Sequence, residues 1–81
     1  MWWVYLLKCF DDSIYTGSTN NLNKRINAHN AGTASKYTRA RLPVVLLKSF
    51  ECTNRSEACK LEYKIKQLSR QEKLKLIGEK E

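Results

Sequence analysis

The sequence predicts an α+β fold of the α/β-sandwich kind: a small sheet of three strands, antiparallel or mixed, flanked by helices in the order β-β-α-β-α-α. Three observations lead there. Two apolar runs, residues 2–9 and 44–50, have strand length and carry turn or proline signals at their borders. Polar residues that suit helix N-caps stand ahead of three stretches of helical character. A chain of 81 residues also holds only one thin core, because at this size about 60% of the unfolded surface is buried. That excludes a Rossmann domain, a barrel or a second module. Residues 1–81 are expected to form a single domain with its core at about 2–77.

Residues 2–9 are rich in aromatics and bounded by Asp11, Asp12 and Ser13, which reads as a strand buried on both faces and then a tight turn. Residues 14–19 return as the second strand of a hairpin. Asn20 or Asn21 caps a helix running to about Asn30, where Ala31 and Gly32 stop it. Residues 33–42 are polar and basic with no clear period, and read as a loop. Pro43 opens the third strand, a position that proline tolerates. Asn54 with Glu57 resembles a capping box for a helix to about Leu68. Ser69 with Glu72 is a cleaner box for a short last helix to Ile77, with Gly78 as its stop.

Charge gives the first functional hint. Fifteen Lys and Arg against eight Asp and Glu leave a formal net charge of +7, and residues 13–50 contain no acid. That stretch holds Lys24, Arg25, Lys36, Arg39, Arg41 and Lys48. A one-signed block suits a polyanion, most often nucleic acid, or a solvated surface tuned for solubility. Cys9, Cys52 and Cys59 include no C-x-x-C pair, and with a single His they make no zinc set. They read as reduced, mostly buried thiols of a cytoplasmic protein. The apolar start ends after Leu7, too short for a membrane span and without a cleavage signal.

Four features carry possible chemistry. Leu22 and Ile26 mark the inward face of the first helix, and Arg25 and His29 share that face. They either meet a ligand or snorkel from the stripe's edge. In the second expected helix Ala58, Leu61, Ile65 and Leu68 form an inward stripe that includes Glu62, while Lys60, Lys64 and Lys66 take the solvent side. A carboxylate there calls for a cation, either a metal such as Mg²⁺ or a protein base such as Arg25. Tyr5 and Tyr15 have equal parity in the hairpin, so they share a face as core residues or as site residues. Gly17 inside a strand permits close approach of a backbone or a ligand.

Val4-Tyr5-Leu6 and Tyr15-Thr16-Gly17, ten residues apart, resemble the paired tripeptides of the GIY-YIG nuclease family. The run from Arg25 to His29 and Asn30 is similar to that family's Arg-x-x-x-His helix, and Glu62 lies in a helix like the one bearing its metal Glu. Ala34, Thr38 and Pro43 fall where small members carry similar residues, and the chain's ending resembles that of the stand-alone bacterial branch, the YhbQ-like proteins. Trp3 replaces the opening Gly of the first tripeptide, and Thr16 stands where Ile is usual. Larger members carry a late polar group after the metal Glu, with no counterpart among Gln67, Ser69 and Gln71.

The resemblance implies a three-stranded antiparallel sheet and metal-dependent hydrolysis of phosphodiesters, in DNA rather than RNA. Glu62 would hold one divalent ion, Mg²⁺ or Mn²⁺, and Arg25 would grip the same phosphate. Tyr5 would assist the attacking water, provided cationic neighbours lower its pKa from about 10. Tyr15 and His29 would orient water or phosphate, with His29 an alternative base. Lys36, Tyr37, Arg39 and Arg41 would line a groove for adjacent phosphates, Tyr37 stacking a base. Gly17, Lys24 and Asn30 complete the expected nucleic-acid contacts. Selectivity would follow nucleic-acid structure rather than sequence, in a cytoplasmic monomer whose targeting comes from a protein partner. The alternative is a binding module that keeps the fold with little or no turnover.

Overall fold

The computed structural model describes residues 1–78. The last three residues of the expected domain, 79–81, lie outside the described residues. Its centre is β1 (Trp2–Lys8), the middle strand of a three-stranded antiparallel sheet in the order β2-β1-β3. β2 (Ile14–Thr19) and β3 (Val45–Cys52) flank it as edge strands. The middle position accounts for the unbroken apolar run, since residues 4–7 are buried on both faces.

Register then sorts the side chains into two layers. Tyr5 pairs with Gly17 and Leu7 with Tyr15, so these four share one face, while Val4 and Leu6 point to the other. Against Tyr5 and Leu7 pack Leu22 and Ile26 of α1 (Leu22–Asn30), together with Leu42 and Val44. Against Val4 and Leu6 pack Ala58, Leu61 and Ile65 of α3 (Arg55–Lys66), and Ile77 at the end of α4 (Arg70–Leu76). Burial of each such aliphatic side chain contributes roughly 1.5–3 kcal/mol. The sheet is thus the filling between two helical layers.

The caps sit where the polar residues announce them. Asn21, not Asn20, accepts from the Lys24 amide at 3.1 Å and is itself tied to the Thr19 hydroxyl. Asn54 accepts from Glu57 N, while Glu57 takes the Thr53 amide, one residue ahead of the reciprocal box. Ser69 and Glu72 close theirs fully.

One expectation needs correction: residues 33–42 are not all loop. They contain a one-turn helix, α2 (Lys36–Arg39), opened by Ser35, whose hydroxyl accepts from Tyr37 N. Four residues are too few to display a 3.6-residue period, so only the serine announces the turn. The described order is therefore β-β-α-α-β-α-α. The third strand begins at Val45 rather than Pro43, and α3 ends at Lys66 with Gln67 as its cap. No helix among the described residues is long and apolar enough to cross a membrane. Cys9 and Cys52 are buried free thiols as expected, whereas Cys59 is exposed on α3.

Candidate active site

His29 links the first helical layer to the sheet. It is 1% exposed, and its Nε2 lies 2.8 Å from the Tyr5 hydroxyl while Nδ1 lies 2.8 Å from Thr38 Oγ1. The Thr38 hydroxyl donates back to the Ser35 carbonyl within α2, which leaves its lone pairs to accept from Nδ1–H. On that bond we assign the proton to Nδ1, so that Nε2 accepts the Tyr5 O–H. Burial, and then the nearby Arg25 charge, lowers the His29 pKa below its ordinary 6.5, so the ring is neutral at pH 7.

Tyr5 is not the ready anion that its expected part beside the attacking water calls for. Burial pushes its hydroxyl well above the ordinary tyrosine range, and Tyr15 adds to the rise. Arg25 pulls the other way and is outweighed. The Tyr5 ring also explains Gly17. A Cβ at Gly17 would lie 2.5 Å from the Tyr5 hydroxyl oxygen, 2.7 Å from its Cζ and 3.1 Å from Tyr15 Cε2. The close approach expected at Gly17 is made by the neighbouring strand's own side chain, and Gly17 is buried beneath it.

Tyr15 and Tyr5 share a face as their parity requires, with ring centroids 6.4 Å apart. Tyr15 meets the His29 ring edge-on at 5.1 Å and stacks on Tyr37 at 5.9 Å. The Arg41 guanidinium lies over the Tyr37 ring at 3.9 Å, donates to the Tyr37 carbonyl and pairs with Asp11 at 2.9 Å. Tyr37 is therefore packed against Tyr15 and under Arg41 rather than waiting with a bare face for a base, and Arg41 is committed to its neighbours.

Glu62 approaches from the opposite layer. Its carboxylate is split between two partners: Ser18 of β2 donates to Oε1 at 2.6 Å, and Lys66 holds Oε2 at 2.8 Å. Its side chain is 21% exposed. The cation that an inward carboxylate demands is thus Lys66, not Arg25. The Glu62 charge still reaches Tyr5, which it helps to raise. Ser18 faces the α3 layer and Tyr5 the α1 layer, so the two halves of the site lie on opposite faces of β2, an edge strand among the described residues.

Arg25 and His29 part company despite sharing a helix face. His29 is core, while Arg25 is exposed and makes no hydrogen bond or ion pair among the described residues. Arg25 and Lys24 line a cleft with Thr19, Asn20, Asn21 and Ala28. Lys36 and Arg39 line another with residues 32–35. Asn30 is not free for nucleic acid: its amide donates to the Val44 carbonyl at 3.2 Å and accepts from Val44 N at 2.9 Å. Sequence reasoning assigns no role to Ser18 and no partner to Thr38. Ser18 had a signal in hairpin parity, which sets it on the face opposite Tyr15, whereas Thr38 lies in a stretch without a period and had none of that kind.

Among the described residues no group of three or more His, Cys, Asp or Glu side chains could hold a metal. One partly exposed carboxylate fits an ion that keeps most of its waters, as Mg²⁺ does, and does not fit a caged one.

Comparison with known proteins places this arrangement. The model of the GIY-YIG catalytic domain matches residues 1–75. A UPF0213 protein from Staphylococcus haemolyticus is 52% identical over 77 residues, covering 95% of this chain and 94% of its own. One from Clostridium perfringens is 55% identical over 78 residues, covering 96% and 84%. The solution structure of UPF0213 protein BH0048 from Bacillus halodurans shares the fold with a TM-score of 0.62 at 40% identity, over 96% of this chain and 84% of that one. That of EF2693 from E. faecalis gives 0.64 at 37% identity, over 94% and 81%. With its two tripeptide strands, its Arg-x-x-x-His helix and its inward Glu62, the chain belongs to the GIY-YIG catalytic-domain family, among the small UPF0213 proteins.

Proposed function

We propose that the protein is a metal-dependent endonuclease that hydrolyses phosphodiester bonds in DNA, selecting nucleic-acid structure rather than base sequence, and that it acts as a cytoplasmic monomer. The observation that carries this reading is the hydrogen-bonded line Tyr5–His29–Thr38, set beside the unpaired Arg25, with Glu62 on the opposite face of β2.

In this reading Glu62 holds a divalent ion, Mg²⁺ or Mn²⁺, which when bound supplies Lewis-acid stabilisation of charge developing on the phosphate. Arg25 offers a planar, permanently charged fork to the same phosphate. The raised pKa of Tyr5 argues against a standing phenolate and for a relay. As the Tyr5 oxygen takes a proton from the attacking water, its own proton passes to His29 Nε2. Thr38 holds the ring in the tautomer that can receive it, and Tyr15 packs against the ring to fix its plane. Neighbouring phosphates would follow the clefts lined by Lys24 and by Lys36 and Arg39, which also carry DNA-binding affinity. Targeting to a particular structure is left to a protein partner.

The second reading, a binding module with little turnover, draws on one feature: both Glu62 oxygens already have partners. Cleavage of labelled single-stranded, duplex and branched DNA with Mg²⁺ or Mn²⁺ separates the two, with Glu62→Gln purified in parallel. Metal-dependent cuts that vanish in Glu62→Gln establish the nuclease. Binding without cutting leaves the module.

A further inference from the structure

We infer that Lys66 is the resident cation of the Glu62 carboxylate, and that a divalent ion binds there only by displacing its ammonium; this rests on the reading of Glu62 as the ion's ligand. The two oxygens of Glu62 are held in unlike ways. Oε1 takes a hydrogen bond from Ser18, a neutral group on a short side chain fixed to a strand of the sheet. Oε2 takes the Lys66 ammonium from one helical turn away, at 2.8 Å. Glu ahead of Lys at this spacing is the favourable order on a helix.

The asymmetry decides which partner yields. Ser18 has no need to leave, because a neutral hydroxyl does not repel an incoming cation. Lys66 is 50% exposed and sits on a flexible four-carbon stem, so it can swing into water with its charge solvated. A divalent ion and an ammonium cannot both occupy the one oxygen, because two positive charges within about 4 Å repel strongly at a partly buried site. Without an ion, Lys66 spares Glu62 from standing unpaired at the edge of the core. Lys64, two residues earlier on α3 and exposed, makes no ion pair with Glu62 among the described residues and so serves as a control of equal charge.

The test is Mn²⁺ binding to the full chain, read from the electron paramagnetic resonance signal of the free ion. Lys66→Met should bind Mn²⁺ about three- to tenfold tighter than wild type, the size expected when a partly exposed ion pair no longer competes. Lys66→Arg, which returns a cation, should move back toward wild type, and Lys64→Met should stay near it. If Lys66→Met binds no tighter, or Lys64→Met tightens binding as much, the displacement is wrong although Glu62 remains the ligand. If Glu62→Gln binds Mn²⁺ as wild type does, Glu62 is not the ligand, and both this inference and the metal reading fall.

Discussion

Gly17 stands directly opposite Tyr5 in the β1–β2 ladder, and the end of the Tyr5 ring fills the space where a Gly17 side chain would begin. The ring has no easy retreat, since it is 2% exposed and its hydroxyl is held by His29. Gly17→Ala should therefore destabilise the fold by about 1–3 kcal/mol, the usual cost of overpacking. Urea denaturation reads the effect. An unchanged midpoint would mean that Tyr5 moves freely and that its bond to His29 is not fixed.

Ser18→Ala removes the hydroxyl donor on Glu62 Oε1 without touching the apolar core. We expect a folded protein with Mn²⁺ affinity or cleavage reduced about 10–100-fold, as when groups that orient a metal ligand are lost. Equal affinity and equal cleavage in the variant would show that the Ser18 bond does not position the carboxylate.

The pH dependence of stability should carry the mark of His29. Its pKa is lowered on folding, so the unfolded chain takes up the proton first. Stability is then fully present above 6.5, the ordinary value, and falls as the pH drops below it until the depressed folded pKa is reached. One proton allows a slope of at most about 1.4 kcal/mol per pH unit. Asp11, Glu57 and Glu72 are also held below their ordinary values, by hydrogen bonds from Ser13, Thr53 and Ser69 respectively. Their loss has the same sign but begins only in more acidic solution. Denaturation midpoints between pH 7.5 and 5 should decline in wild type and stay flatter in His29→Gln; parallel curves would place the titration elsewhere.

Asn30 and Lys24 should separate scaffold from DNA contact. Asn30→Ala leaves the Val44 backbone short of both partners and should cost about 1–3 kcal/mol. Lys24→Ala should leave the melting temperature unchanged and lower the salt slope of DNA binding by roughly 1. A variant of Asn30 that melts normally but binds DNA poorly would return that residue to the interface.

Much of this was legible in the residues themselves. The four buried positions of β1 follow from a run without alternation, and Asn21, Asn54 and Ser69 mark their helices by local chemistry alone. Parity alone put Tyr5 and Tyr15 together. What escaped depends on side-chain reach and on how the elements pack. Periodicity places the Lys66 Cα on the solvent side of α3, yet a long stem returns its ammonium to Glu62. Arg25 and His29 lie on one face by the same rule, but α2 covers only the histidine, through Thr38. The pKa of Tyr5 was unreadable because burial, which outweighs Arg25, is a property of the assembled layers.

On the nuclease reading, the two-layer build has a consequence for when the protein could first cut nucleic acid. His29 and Arg25 are delivered by the α1 layer, Glu62 by the α3 layer, and Tyr5 and Ser18 by the sheet between them. A newly made chain that has docked only one layer owns half a catalytic set. On the nuclease reading, cutting would then have to wait until both helical layers are docked, and the finished sandwich would be its own safety catch.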